Sequence, residues 1–132
     1  MAVLINVKEE LGISKPIKVK ESNANMRKTL QFQKEMARLQ VEQEKLQGRA
    51  DKSKSDAQAA QLMSNMFDMM MKMLDNVQVY IVEILHLDEE KQDYIEEEMD
   101  FNETMDLANK ISGKIMKVEP TDATEEGDDL KA

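Results

Sequence analysis

Few residues of this 132-residue chain carry side chains suited to catalysis or metal binding, and their spacing argues against both. His86 is the single histidine, and it sits at what reads as a helix boundary, where a structural role is the ordinary one. With no cysteine there is no thiolate nucleophile, no disulfide and no thiolate metal site. No serine lies in a nucleophile-elbow context, and four scattered glycines cannot make a phosphate-cradling loop. The acidic run Glu96, Glu97, Glu98 with Asp100 lacks the alternating spacing and central glycine of a calcium-binding loop, so it reads as a solvated helix face. Asp88 and Glu89 stand at a helix start, where carboxylates meet the positive end of the dipole and cap it. The residues therefore predict neither an enzyme nor a bound cofactor or metal.

The chemistry that is present is adaptable apolar contact. Met63, Met66, Met69, Met70, Met71 and Met73 fall within one short stretch, in a chain with twelve methionines and no tryptophan. Methionine is unbranched and polarizable, fills irregular surfaces, and suits a site that meets more than one shape of apolar partner. An ordinary core would hold more Leu, Ile and Phe. Two readings follow: an interior stripe of a helical domain, or an open face for another protein's helices. A helix that is apolar nearly all round can serve as both.

The element that must position this cluster is a helix capped by Ser55 and running to about Leu85. Ala60, Met63, Phe67, Met70, Leu74, Val77, Ile81 and Ile84 lie along one of its faces at 3.6-residue spacing. Met66, Met73 and Tyr80 widen that face, and Leu62 and Met69 widen it further. At ~1.5 Å per residue the helix is about 45 Å long, more than a small domain covers, so part of its apolar surface should meet another molecule or another copy. Before it, Ser22 or Asn23 caps a helix rich in Lys, Glu, Gln and Met that the sequence carries to Gln47, with Gly48 as its stop. Its apolar stripe is thin: Met26, Leu30, Met36, Leu39 and Leu46. Residues 49–56 read as a polar linker or frayed turn. After the central helix, His86-Leu87 makes a break, Asp88 caps a short helix, and Phe101-Asn102 makes a turn with Asn102 as cap. A last helix then runs from Glu103 to about Lys117 with Met105, Leu107, Ala108, Ile111, Ile115 and Met116 inward. Residues 1–20 contain VLINV and PIKVK, which read as a small hairpin, a pair of edge strands, or a strand that borrows a partner elsewhere. From residue 119 the chain is acidic and nearly devoid of apolar side chains, and is expected to be disordered. The reading is an all-α protein: a small bundle of about four helices around one long Met-rich helix (21–118), an N-terminal arm (1–20) that holds the candidate short strands, and a disordered acidic tail (119–132).

Charge is divided along the chain. Residues 12–54 hold eleven Lys/Arg against five Asp/Glu, whereas residues 75–132 hold eighteen Asp/Glu against five Lys, within a net charge of −9. Such halves attract each other within one molecule or head to tail between copies. Aromatics make up 4% of the chain, too few for base-stacking platforms, and the net charge repels phosphate, so nucleic acid is not an expected partner. Neither is membrane: the most apolar run, residues 62–87, is broken by Asp68, Lys72, Asp75 and Glu83. The first residues lack the pattern of a signal peptide, and a soluble intracellular protein is expected.

The segment from Met73 to Met116 has a recognisable layout: a hydrophobic helix leading through VQVYIVEILHL, the helix DEEKQDYIEEEM, the tight turn DFNET and the closing helix MDLANKISGKIM. It resembles the tail assembly chaperones of long-tailed phages, especially those infecting Gram-positive hosts. The resemblance implies a protein of the host cytoplasm, absent from the mature virion, that coats the tape measure protein and keeps this long helical chain soluble. Tail tube subunits then displace it. It also implies homo-oligomers and no cofactor. On this chain the client or self-association face is expected to be Met63, Met66, Phe67, Met70, Met73, Leu74, Val77 and Ile81. Arg27, Lys28, Lys34 and Arg38 are expected to meet Glu96, Glu97, Glu98 and Asp100 of a neighbouring copy. The competing expectation is a dimeric helical adaptor or regulator that binds one defined protein partner.

Overall fold

A computed structural model describes residues 1–52 and 54–117. The chain is mainly helical, in the order β1 (Ala2–Ile5), α1 (Lys8–Leu11), β2 (Ile17–Lys20), α2 (Asn23–Asp51), α3 (Asp56–Leu85), α4 (Glu89–Glu98) and α5 (Phe101–Met116). Four of the helices are longer than one turn, as the periodicity predicts, and the expected acidic tail lies outside the described residues.

The β-branched pieces at the start do pair. β1 and β2 form an antiparallel ribbon with Val3 opposite Val19, Leu4 opposite Lys18 and Ile5 opposite Ile17. Because side chains alternate, Ile5 and Val19 are buried while Leu4, Lys18 and Lys20 face outward. The connection holds α1, a single turn closed by Gly12, whose backbone takes the left-handed conformation (φ 71°) that glycine adopts without strain.

The helix starts are written in short polar side chains. Ser22, Ser55 and Asp88 each accept a hydrogen bond from the backbone N–H three residues on, at 2.9–3.1 Å. Two of the expected boundaries differ. Gly48 does not stop α2, which runs on to Asp51. Leu46 and Ala50 pack against α3 across this turn, and that contact outweighs glycine's weak helix propensity. At the other end, Asp100 rather than Asn102 caps α5. Its carboxylate accepts from the Glu103 N–H at 2.7 Å, and Glu103 Oε1 accepts in return from the Asp100 N–H at 3.0 Å, a reciprocal capping box. His86 closes α3 as a left-handed C-cap (φ 53°), so the lone histidine terminates a helix.

α2 and α3 are antiparallel partners joined by a tight connection, and two separate cores form along them. The main one holds Ile5, Val7, Leu11 and Val19 from the N-terminal segment, Val77, Ile81 and Ile84 from α3, Ile95 from α4, and Leu107, Ala108, Ile111 and Ile115 from α5. At its α2 side, the rings of Phe32 and Tyr80 stack with centroids 4.3 Å apart. Thr29 donates its hydroxyl to the Asn25 carbonyl, so the Tyr80 hydroxyl, 2.8 Å away, donates to Thr29 Oγ1. The second core is a thin seam of Leu39, Leu46, Leu62, Met69 and Met73 in the distal half of the hairpin. Among the described residues, none from the strands, α4 or α5 joins that seam.

Candidate binding face on the distal hairpin

The methionines divide between the two sides of α3. Met69 and Met73 are buried in the distal seam at 5% and 9% exposure, whereas Met63, Phe67, Met70 and Met71 are each more than half exposed. The division follows from helix geometry. At 100° per residue, Met63, Phe67, Met70 and Leu74 stand on the same line of α3 as Ile81 and Leu85. Toward the C-terminal end, where α5 and the ribbon pack against α3, that line is buried. Toward the N-terminal end, among the described residues, only α2 packs against α3, on the adjacent side, and the line is open.

The structure therefore splits the eight-residue face expected from the sequence. Val77 and Ile81 have no exposure and belong to the main core, Leu74 is half-buried against it, and Met73 lies in the distal seam. The part open to another molecule is Met63, Phe67 and Met70, with half-buried Met66 at its inner edge. Met71, 57% exposed, borders it on the side away from α2, whereas the expected face widens toward Met66 and Met73, the side that α2 covers.

The other wall of this face is mostly amide, with exposed Glu44 between Gln40 and Gln47 and Asp51 beyond Gln47. Gln33, Gln40 and Gln47 recur every seven residues, two helical turns, and so run along one side of α2. Gln33 Nε2 donates to Ser112 Oγ of α5 at 2.7 Å, which places α5 on that side of the hairpin at its base. Farther out, Gln40 and Gln47 are exposed and Gln43 is half-buried between them and α3. The spacing of these glutamines is the one sequence signal that marks the second wall.

The opposite side of the hairpin is polar and charged. Arg38, Glu42, Arg49, Asn65, Asp68 and Lys72 rim a groove floored by Leu39, Leu46 and Met69. Lys28, Lys34, Glu35, Asn76 and Glu83 rim a second groove over Phe32 and Tyr80. Arg38 donates two hydrogen bonds to the Glu35 carboxylate, the shorter at 2.6 Å, and this hydrogen-bonded pairing lowers the Glu35 pKa and raises that of Arg38. Both groups are exposed, so the pair adds little to stability. Arg27, Lys28 and Lys34 are exposed on α2, and Glu96, Glu97 and Glu98 are exposed on α4. Asp100 is engaged as the α5 cap. Near it, Glu9, Glu10, Glu98, Glu103 and Asp106 surround Lys110, which pairs with Glu10 at 2.9 Å. The expected bases and acids thus lie on different elements, with the acids gathered around α1, α4 and the start of α5.

Among the described residues no group of His, Asp and Glu is placed to hold a metal ion. No described helix is long and apolar enough to cross a membrane. The arrangement is suited to holding an apolar helix against one side of a hairpin. No curated protein and no solved structure matches the chain with significance. A family model described as "Phage tail assembly chaperone proteins, TAC" matches residues 4–128, nearly the whole chain. By that match, the chain belongs to the phage tail assembly chaperone family.

Proposed function

We propose that this chaperone coats the tape measure protein of a long-tailed phage in the host cytoplasm, holds it soluble until tail tube subunits replace it, and is left out of the finished virion. The observation that carries the reading is the open, methionine-rich side of the distal hairpin, in a chain that belongs to the tail assembly chaperone family. A tape measure protein is a long succession of apolar helical segments, no two alike. Met63, Met66 and Met70 can re-pack against each of them, since their side chains have three rotatable bonds and no branching to reject a shape. Binding at each segment is weak, and many copies on one client add up to avidity that can still be removed stepwise. The bases on α2 and the acids on α4 support alignment of successive copies along the client, an attraction that salt screens.

Co-expression of a tagged form with the tape measure protein of the same phage tests this. The expected result is a soluble tape measure protein carrying many copies of the chaperone, and purified virions that contain none. An insoluble tape measure protein, or a complex with a single copy, would refute it, and the latter would favour an adaptor for one partner. Assemblies of charge-aligned copies should shrink between about 0.1 and 1 M NaCl. An unchanged size would remove the charge pairing from the mechanism.

A further inference from the structure

The outer face of the β1–β2 ribbon carries charge of one sign. Side chains alternate along a strand, so Val19 turns into the main core while Lys18 and Lys20 stand outward, opposite Leu4 and Ala2 of β1. Leu4 is 59% exposed between them, and these four residues line a shallow groove across the ribbon. Among the described residues neither lysine pairs with a carboxylate. Glu21 borders the groove, but Lys117 holds its carboxylate at 2.8 Å, so that pair adds no net charge. We propose that the occupant of this face is the acidic C-terminal segment of the same chain, residues 119–132, with its carboxylates on Lys18 and Lys20 and Leu130 against Leu4.

Three observations favour this occupant. The first is where the segment starts. Lys117 is the C-cap of α5, and its ammonium reaches Glu21, the residue that follows Lys20. The chain therefore leaves α5 within two side-chain lengths of the end of β2. The second is length. The ribbon is four residues long, about 14 Å, and fourteen residues span up to ~45 Å. The third is charge. Residues 119–132 hold six Asp/Glu against one Lys, and Leu130 is their one large apolar residue. The bases of α2 are a poorer match, because they alternate with acids there and Arg38 is already bonded to Glu35. Exposed charge pairs are individually weak, but a short tether supplies an effective concentration of about 1 mM, so a few of them suffice. The contact also shields Leu4 on a two-stranded ribbon, whose edges otherwise invite pairing with other chains. It is independent of how the methionine side is used.

Because the chain has no cysteine, Gly127→Cys places a single nitroxide spin label in the acidic segment of the whole chain. At about 0.05 M NaCl the label should erase the amide NMR signals of Leu4, Lys18 and Lys20, and those signals should return at about 1 M NaCl. They should also return at low salt when Lys18→Gln and Lys20→Gln are added. Both lysines are exposed, so that variant keeps its fold, with circular dichroism as the check. Lys18→Arg with Lys20→Arg keeps the charge and should retain the signal loss. Equal broadening at both salt concentrations, or in the Gln variant, would show only the reach of the tether and would overturn the proposal. So would signal loss centred on Lys28 and Lys34, which would place the segment on α2. In a mixture of spin-labelled and isotope-labelled chains, the isotope-labelled ribbon signals should persist. Their loss would move the contact to a neighbouring molecule and refute an occupant from the same chain.

Discussion

Met69 and Met70 are neighbours in sequence, one buried and one open, and substituting each in turn separates folding from the proposed client binding. Met69 is 5% exposed in a seam of five side chains, and truncating a buried Met to Ala removes its transfer energy and leaves a cavity, at a typical cost of 2–5 kcal/mol. The seam is thin and able to collapse around the gap, so the low end, about 2 kcal/mol, is expected. In a domain of this size that lowers the melting temperature by roughly 8 °C. Met70 is 52% exposed, so only about half of its apolar surface leaves water on folding, and Met70→Ala should cost less than ~1 kcal/mol. Thermal unfolding followed by circular dichroism gives the stability difference, and solubility of co-expressed tape measure protein gives the function. Met70→Ala should retain the melting temperature and weaken client retention, while Met69→Ala should melt early. If the two variants lose equal stability, or if Met70→Ala retains client as the wild type does, the assignment of one side of α3 to the seam and the other to the client fails.

Two further outcomes follow from the fold. Gly48 lies inside α2 with a negative φ, and a Cβ there would meet nothing within 4 Å, so Gly48→Ala should stabilise the protein by about 0.5–1 kcal/mol through helix propensity, read as a rise in the urea midpoint; a loss would show that the turn needs glycine. Burial raises the Tyr80 pKa above the usual phenol value. The stability it contributes is therefore complete below the unfolded pKa near 10 and lost as pH rises through the folded value. Tyr80→Phe should lower stability by about 1 kcal/mol at neutral pH, since Thr29 loses the donor it accepts from, and should flatten the decline in melting temperature above pH ~10; an unchanged alkaline slope would refute the assignment.

Much of the local structure was legible because its causes are local. Ser22, Ser55 and Asp88 mark helix starts through side chains that bond their own backbone three residues on, and no distant contact is needed. The 3.6-residue recurrence of apolar residues in 62–85 marks a long helix for the same reason, and the β-branched pieces at 3–7 and 16–20 mark a pair of short strands. Two boundaries were misplaced, one where a tertiary contact decides and one where a local cap lies two residues earlier than the turn suggested. The packing of Leu46 and Ala50 on α3 carries α2 past Gly48, and α5 begins one residue after Asp100 because that carboxylate and Glu103 satisfy each other's backbone groups.

The candidate site was legible as a cluster and illegible as a surface. A helix that is apolar on most of its circumference gives no sign of which side a neighbour will cover, so periodicity assigned Val77 and Ile81 to the same open face as Met63 and Phe67. The sequence by itself determined that α3 is long, apolar nearly all round and methionine-rich, and that the charged residues divide into a basic first half and an acidic second. Tertiary structure alone decided where the helix is closed. α5 and the ribbon reach only the C-terminal half of α3, because α5 is 16 residues long against 30 in α3 and its chain turns back toward the start of α2. The line of residues that is core at Ile81 is consequently surface at Phe67, a difference set by the reach of neighbouring elements rather than by any property of the residues on the line.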